Sequence, residues 1–139
     1  LLEKKVFDQK TQFLGICLGM QLLTAYSEEG NTEGLNWIKN TRTISLKTHL
    51  KKNKVPHMGW NYVKPIDHPL FHGINNPRFY FVHSYKVESK NEKNRLCSTN
   101  YEIPFTSGII HNNIFGVQFH PEKSHKYGFK LLENFINIQ

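Results

Sequence analysis

Two cysteines, Cys17 and Cys97, are all that the 139 residues carry. They are too few for a disulfide scaffold, and without a C-x-x-C pair they cannot supply half of a zinc site. No apolar run reaches the about 20 residues that a membrane-crossing helix needs; the longest, Phe13 to Leu23, is interrupted by Gln21. The opening Leu-Leu-Glu-Lys-Lys-Val-Phe-Asp-Gln-Lys puts charges where a secretion signal needs its apolar centre. These absences point away from secretion and from the membrane and toward the cytoplasm. Acidic residues are also scarce, 11 against 18 Lys+Arg, for a formal charge of +7. Arginine is scarcer still, only Arg42, Arg78 and Arg95, which disfavours phosphate forks and with them nucleic-acid binding. The lysines are spread from Lys4 to Lys130, and the densest group, Lys47, Lys51, Lys52 and Lys54, lacks aromatics on which bases could stack. A solvated basic surface, or one that steers an acidic partner, is the expectation.

What is present suffices for a core: 38% hydrophobic and 13% aromatic residues, with no repeat, linker or low-complexity tract. Thr11 to Ile16 reads as a strand, Gly15-Ile16-Cys17-Leu18-Gly19 as a sharp turn, and Met20, Leu22, Leu23 and Tyr26 as a helix. Ser27 to Asn31 should stop that helix, with Gly30 at positive φ. Arg42 to Leu46 reads as a strand and the lysine-rich Lys47 to Lys54 as an exposed hairpin or loop. Asp67 to Gly73 has the form of one helical turn capped by Asp67 and stopped by Gly73. Strands are expected over 78–83, 105–110 and 114–119, the last two joined at His111-Asn112-Asn113. Tyr127, Leu131 and Phe135 recur at i, i+4 and i+8, so 124–138 should be an amphipathic helix packed on the sheet. A mixed α/β domain follows.

Gly15-x-Cys17-x-Gly19 between strand and helix has the form of a nucleophile elbow with cysteine in place of serine. At the start of a helix, free N–H groups and the macrodipole favour a thiolate, and the amide of Leu18 is placed to stabilise an oxyanion. A lone motif of this kind is more often a core turn holding a buried cysteine. Gly116-Val117-Gln118-Phe119-His120-Pro121-Glu122 supplies the rest: His120 and Glu122 flank a proline just past an apolar strand, a base and its orienting carboxylate. The histidines give no metal site, because Pro69 and Gly73 spoil a helical pair of His68 and His72. His49, His111 and His125 read as surface or packing residues, and Cys97 as a small buried hydrophobe.

The stretch Phe13 to Leu23 together with Gly116 to Glu122 resembles the class I (triad) glutamine amidotransferases. Val55-Pro56-His57-Met58-Gly59-Trp60-Asn61 and Phe79-Tyr80-Phe81-Val82-His83-Ser84-Tyr85 narrow the resemblance to the glutaminase subunits of imidazole glycerol phosphate synthases, which supply ammonia in histidine biosynthesis. The resemblance implies a flavodoxin-like sandwich with a mainly parallel central sheet, and a Cys17-His120-Glu122 triad that hydrolyses L-glutamine without a cofactor. It further implies glutamine binding by Gly19, Gln21, Glu29 and the backbone of Ser84 and Tyr85. Glu28 competes with Glu29 for the substrate's ammonium group. A cyclase or synthase subunit is implied as partner in a heterodimer with an ammonia passage, faced by Trp60, Tyr80 and Lys123. For these three, rim aromatics and an ordinary surface lysine are the plainer alternative. Members of the family also carry a first βα unit and a Gly-rich loop before the cysteine strand, which 16 residues cannot hold. Residues 1–139 are therefore expected to be the C-terminal two thirds of such a domain, lacking the second oxyanion donor. Two alternatives remain: a paralogue that feeds ammonia to a surface-polysaccharide sugar amidotransferase, and a catalytically silent partner-binding piece.

Overall fold

The computed structural model describes residues 1–138. In chain order the elements are β1 (Phe13–Ile16), α1 (Leu18–Leu22), β2 (Tyr26–Ser27), β3 (Thr32–Glu33), β4 (Thr41–Ser45), β5 (His57–Tyr62), β6 (Lys64–Pro65), β7 (Arg78–His83), β8 (Tyr85–Ser89), β9 (Arg95–Tyr101), β10 (Ile103–His111), β11 (Ile114–Val117) and α2 (His125–Asn137). Nine strands form one sheet in the order β1-β11-β10-β8-β4-β2-β3, with β9 pairing β10 and β6 pairing β9. Strands β5 and β7 form a separate antiparallel ribbon.

The α/β class holds, but the sheet is mixed rather than mainly parallel. Only β1–β11 and β2–β4 run parallel among the described pairs. A parallel pair needs a crossover of a dozen or more residues, whereas β10 turns into β11 through Asn112 and Asn113, with Asn112 at φ 54°. The link from β9 to β10 is shorter still, so these neighbours must be antiparallel.

Strand β11 is buried along its whole length, and its side chains alternate between two cores. Phe115 and Val117 join Phe79, Phe81, Phe105, Phe119 and Leu131 on the face covered by α2. Ile114 joins Met20, Leu23, Trp37, Val87 and Ile109 on the face covered by α1. Helix α2 follows the expected period, with Tyr127, Leu131 and Phe135 all in the first core. Gly128 lets it sit close: a Cβ there would lie 1.7 Å from the carbonyl oxygen of Pro121. That contact fixes the 3₁₀ turn Pro121–Lys123 against the helix.

Two local readings change, and a third, open between hairpin and loop, resolves to a loop. Helix α1 stops at Leu22, because later backbone takes its end: Leu35 N–H donates to the Leu22 carbonyl at 2.8 Å and Ile38 N–H to that of Leu23 at 3.1 Å. Tyr26 thus begins a strand, and Gly30, at φ 73°, turns the β2–β3 hairpin. In the 3₁₀ turn Pro69–Phe71 the cap is His68, whose Nδ1 accepts from Leu70 N–H at 3.1 Å, not Asp67. The lysine-rich stretch is a loop, held by the Glu102 carboxylate, which accepts from the N–H of Lys51 and of Asn53 at 2.7 and 2.8 Å.

Candidate active site

Parallel β1 and β11 end together, Ile16 opposite Val117, and the chemistry-bearing residues follow at those carboxyl ends. Cys17 sits between β1 and α1 at φ 52°, ψ −106°, a conformation that costs a non-glycine residue about 1–3 kcal/mol. The turn is held in place by the Cys17 N–H donating to the Val117 carbonyl at 2.8 Å. Gly15 makes the turn possible, since a Cβ there would lie 2.6 Å from the backbone carbon and oxygen of Gly19.

The Cys17 thiol donates to the Val82 carbonyl across 3.9 Å, and the Gln118 amide points an N–H at the sulfur from 3.7 Å. The expectation of a helix-favoured thiolate is corrected. Burial pushes the thiol above its ordinary value, outweighing the Leu18 backbone N–H and the Gln118 amide, and the charges of Glu122 and Glu29 push the same way. A five-residue helix has little macrodipole to set against that desolvation. The Leu18 amide does face the sulfur, while its side chain is exposed.

His120 is anchored by its own backbone, N–H to the Tyr80 carbonyl at 2.9 Å. The carbonyls of Tyr80 and Val82 belong to one strand, two residues apart, so the nucleophile and the imidazole are carried within about 7 Å of strand length. Nδ1 of His120 lies 2.6 Å from a carboxylate oxygen of Glu122. A carboxylate only accepts, so Nδ1 carries a proton, and in the neutral ring Nε2 is the nitrogen with the lone pair. That Nε2 is buried without a hydrogen-bond partner, a costly state for a structural residue and an apt one for a base.

Gln21 lies one helical turn past Cys17, its N–H donating to the Cys17 carbonyl at 3.2 Å. Its side chain is buried and its amide nitrogen is already engaged, with the carbonyl of Tyr85 at 3.4 Å and Oε1 of Gln118 at 3.2 Å. Gly19 faces open space: a Cβ there would meet nothing within 4 Å. The Ser84 carbonyl accepts from Leu46 N–H at 3.0 Å, and that of Tyr85 from Nδ1 of His83 at 2.6 Å. Of the two competing carboxylates, Glu28 is tied to Ser45 N–H at 2.7 Å and lies 3.7 Å from Arg42. Glu29 makes no side-chain bond among the described residues, yet its charge reaches the Cys17 thiol. Gln118, His57 and His83 had drawn no role from sequence beyond membership of the motifs, although a glutamine in an apolar strand end was a usable signal.

Trp60 and Tyr80 are directly opposed in the β5–β7 ribbon, rings edge to face at 6.4 Å. Trp60 also stacks on His125 at 5.7 Å, so the Pro121–Lys123 turn, between His120 and His125, shares this face. Alternation along β5 leaves Met58, Trp60 and Tyr62 all exposed, an apolar row beside the site. Among the described residues no group of three or more His, Cys, Asp or Glu could hold a metal, and no helix is long and apolar enough to cross a membrane. A cavity of about 780 Å³, with Arg42, Lys86, Glu88 and Phe105 in its wall, includes none of the residues that carry the chemistry, Cys17, His120 and Glu122. Cys97 is buried as expected, its thiol pushed up to about 12.

The sequence pattern of the family Glutamine amidotransferase class-I matches residues 1–138. Imidazole glycerol phosphate synthase subunit HisH 2 of Methanococcus maripaludis is 57% identical over 138 residues, 98% of this chain and 67% of that protein. The protein of the same name from Pseudomonas aeruginosa is 45% identical, over 99% of this chain and 68% of its own length. This chain thus spans about two thirds of these relatives. The crystal structure of a glutamine amidotransferase from Thermotoga maritima shares the fold, with a TM-score of 0.61 at 20% identity over 98% of this chain and 51% of that one. On the strength of the family match and the identities to the relatives, the chain belongs to the class I glutamine amidotransferases.

Proposed function

We propose that the protein bearing this chain hydrolyses L-glutamine to glutamate and passes the ammonia to a synthase partner, and that residues 1–139 form the C-terminal two thirds of its amidotransferase domain. The observation that carries the chemistry is the strained Cys17 held on the same strand as an imidazole whose Nε2 is free. Cys17 Sγ attacks the side-chain amide carbon of glutamine while its proton passes to Nε2 of His120, with Glu122 stabilising the imidazolium. The Leu18 amide supports the oxyanion. His120 returns the proton to the leaving nitrogen, the C–N bond breaks and ammonia departs. Water then gives a proton to Nε2 and attacks the thioester, the C–S bond breaks, and glutamate leaves with the thiol restored.

The free carboxylate of Glu29 suits the substrate's ammonium group, and the N–H groups of Ser84 and Tyr85, whose carbonyls are occupied, suit its carboxylate. Gln21 and Gly19 shape the floor. The exposed row of Met58, Trp60 and Tyr62, with Tyr80 and Lys123 beside it, supports docking of a partner. The relatives' names, each a subunit of an imidazole glycerol phosphate synthase, support a partner from that enzyme; in our reading it is the cyclase subunit, in a cytoplasmic heterodimer with an ammonia passage.

Replacing Cys17 with Ala in the full-length protein with its partner should abolish glutamine hydrolysis; unchanged hydrolysis would sink the mechanism. The intact gene should also restore histidine-independent growth to a strain lacking its own glutaminase subunit. Failure there, with hydrolysis intact, would reassign the ammonia to another acceptor such as a sugar.

A further inference from the structure

One carbonyl, that of Tyr85, joins two buried chains of hydrogen bonds. It accepts from Nδ1 of His83 at 2.6 Å and from the amide nitrogen of Gln21 at 3.4 Å. On the first arm, Nε2 of His83 lies 2.8 Å from Nδ1 of His57, and Nε2 of His57 lies 3.1 Å from Nδ2 of Asn61, which also donates to the Asn100 carbonyl at 3.0 Å. On the second, the same Gln21 nitrogen lies 3.2 Å from Oε1 of Gln118, whose Nε2 reaches Cys17 Sγ at 3.7 Å. The side chains of Gln21, His57, His83 and Gln118 all belong to residues at most 5% exposed, so water cannot substitute for a missing link.

A carbonyl can only accept, and that one constraint sets the polarity of every bond. His83 must carry its proton on Nδ1, which leaves its Nε2 an acceptor. His57 must then donate from Nδ1, which leaves its own Nε2 to accept from Asn61. On the other arm Gln21 must turn its NH₂ to Tyr85, so Gln118 must offer it an oxygen, and the NH₂ of Gln118 is left to face the sulfur. Both imidazoles are thereby held neutral in the Nδ1–H form, and burial with the neighbouring ring keeps them so, at about 3 for His57 and about 4 for His83. His57 is fixed in plane by stacking on Phe81 and Tyr101 at 4.7 and 4.0 Å.

We infer that His57 and His83 are positioning residues: His57 fixes the ring of His83, His83 holds the Tyr85 carbonyl in place, and that carbonyl sets which end of the Gln21 and Gln118 amides faces the nucleophile, so that an N–H donor is aimed at the sulfur of Cys17. Without the 2.6 Å bond from His83, the Tyr85 carbonyl is less firmly placed against the Gln21 amide, 3.4 Å away. The sense of the two amides is then less strictly set, and an oxygen turned to the sulfur opposes the thiolate instead of favouring it. The inference rests on the glutaminase reading for its link to catalysis, while its structural content does not.

The test uses the full-length protein with its partner. His57→Phe keeps the stacked ring and breaks the first arm; His83→Asn keeps a donor near the position of Nδ1. Alkylation of Cys17 by iodoacetamide at neutral pH, followed by site-resolved mass spectrometry, should slow about threefold or more in His57→Phe, the ratio for half a unit of thiol pKa. It should be largely restored to the parent rate in His83→Asn, and KM for glutamine should rise in His57→Phe more than kcat falls. Nitrogen-15 shifts of the imidazoles in the unsubstituted protein should place both in the Nδ1–H form. An Nε2–H form at His83, or an unaltered alkylation rate in folded His57→Phe, overturns the inference. Should His57→Phe fail to fold, the tautomers decide. Neither readout needs turnover, so a parent that hydrolyses no glutamine overturns the proposed function and leaves these measurements to judge the positioning role.

Discussion

The Glu122 carboxylate meets Nδ1 of His120 at 2.6 Å, and the opposite ring nitrogen is buried with no partner. Glu122 orients the ring and pairs with the charge that forms on it, so Glu122→Gln, which can turn an NH₂ toward Nδ1, should favour the wrong tautomer. The expected loss in kcat for glutamine hydrolysis is on the order of 10²- to 10⁴-fold with KM little changed. Steady-state kinetics of the partnered protein measure it, and a loss smaller than about threefold would remove Glu122 from the mechanism.

Two adjacent carboxylates should behave oppositely. Glu28 braces Ser45 and Arg42, whereas Glu29 is unengaged among the described residues but felt at the thiol. Glu29→Gln should raise KM for glutamine about tenfold, the effect of one weakened ion pair, and leave the melting temperature alone. Glu28→Gln should do the reverse, lowering stability slightly with KM unaltered. Equal kinetic effects would withdraw the assignment of Glu29.

The two glycines of the elbow are not equivalent. At Gly15 an added methyl collides with Gly19 backbone at 2.6 Å, and backbone cannot give way cheaply. Gly15→Ala should destabilise by about 1–3 kcal/mol. Gly19→Ala meets nothing and lies in α1, where exchanging glycine for alanine gains roughly 0.5–1 kcal/mol. Thermal melts of the two variants should therefore move in opposite directions.

The buried imidazoles impose a pH dependence on stability. An unfolded chain takes up protons on histidine from about pH 6.5 downward, while His57 and His83 in the fold resist protonation to about 3 and about 4. The unfolded state then binds more protons, so stability is full above pH 6.5 and falls as the pH drops toward 4. Glu102, held low by the backbone N–H groups of Asn53 and Lys51, weakens the fold only at still more acidic pH, as it protonates. Melting temperatures between pH 5 and 8 should show the slope, and His57→Phe should flatten it. A slope untouched by that substitution would place its origin elsewhere.

How far the sequence could be read depended on the range of the interactions involved. The elbow was legible because Gly15, Cys17 and Gly19 act within five residues, and α2 because its apolar period is unbroken. Strands β5, β8 and β9 were not, since His57, Asn61, Lys86, Glu88 and Ser98 mix polar groups into both faces. The direction of the Cys17 thiol shift was misread for a related reason. Helix-end chemistry is local, but the burial that overrides it is tertiary, in a setting where the sulfur's partners, Val82 and Gln118, lie 65 and 101 residues away. The same distance hid the histidine pair, whose link to Cys17 passes through side chains from four separate stretches.

The candidate nucleophile and base are both tied by their own main chain, Cys17 N–H to Val117 and His120 N–H to Tyr80, at 2.8 and 2.9 Å. Those two amides can exchange with solvent deuterium only when β1 leaves β11 or the ribbon bearing Tyr80 leaves the turn after β11. Deuterium uptake at these two positions therefore clocks the lifetime of the assembled site itself. Slow uptake at both, in protein that has met no glutamine, is the signature of a centre built before its substrate arrives.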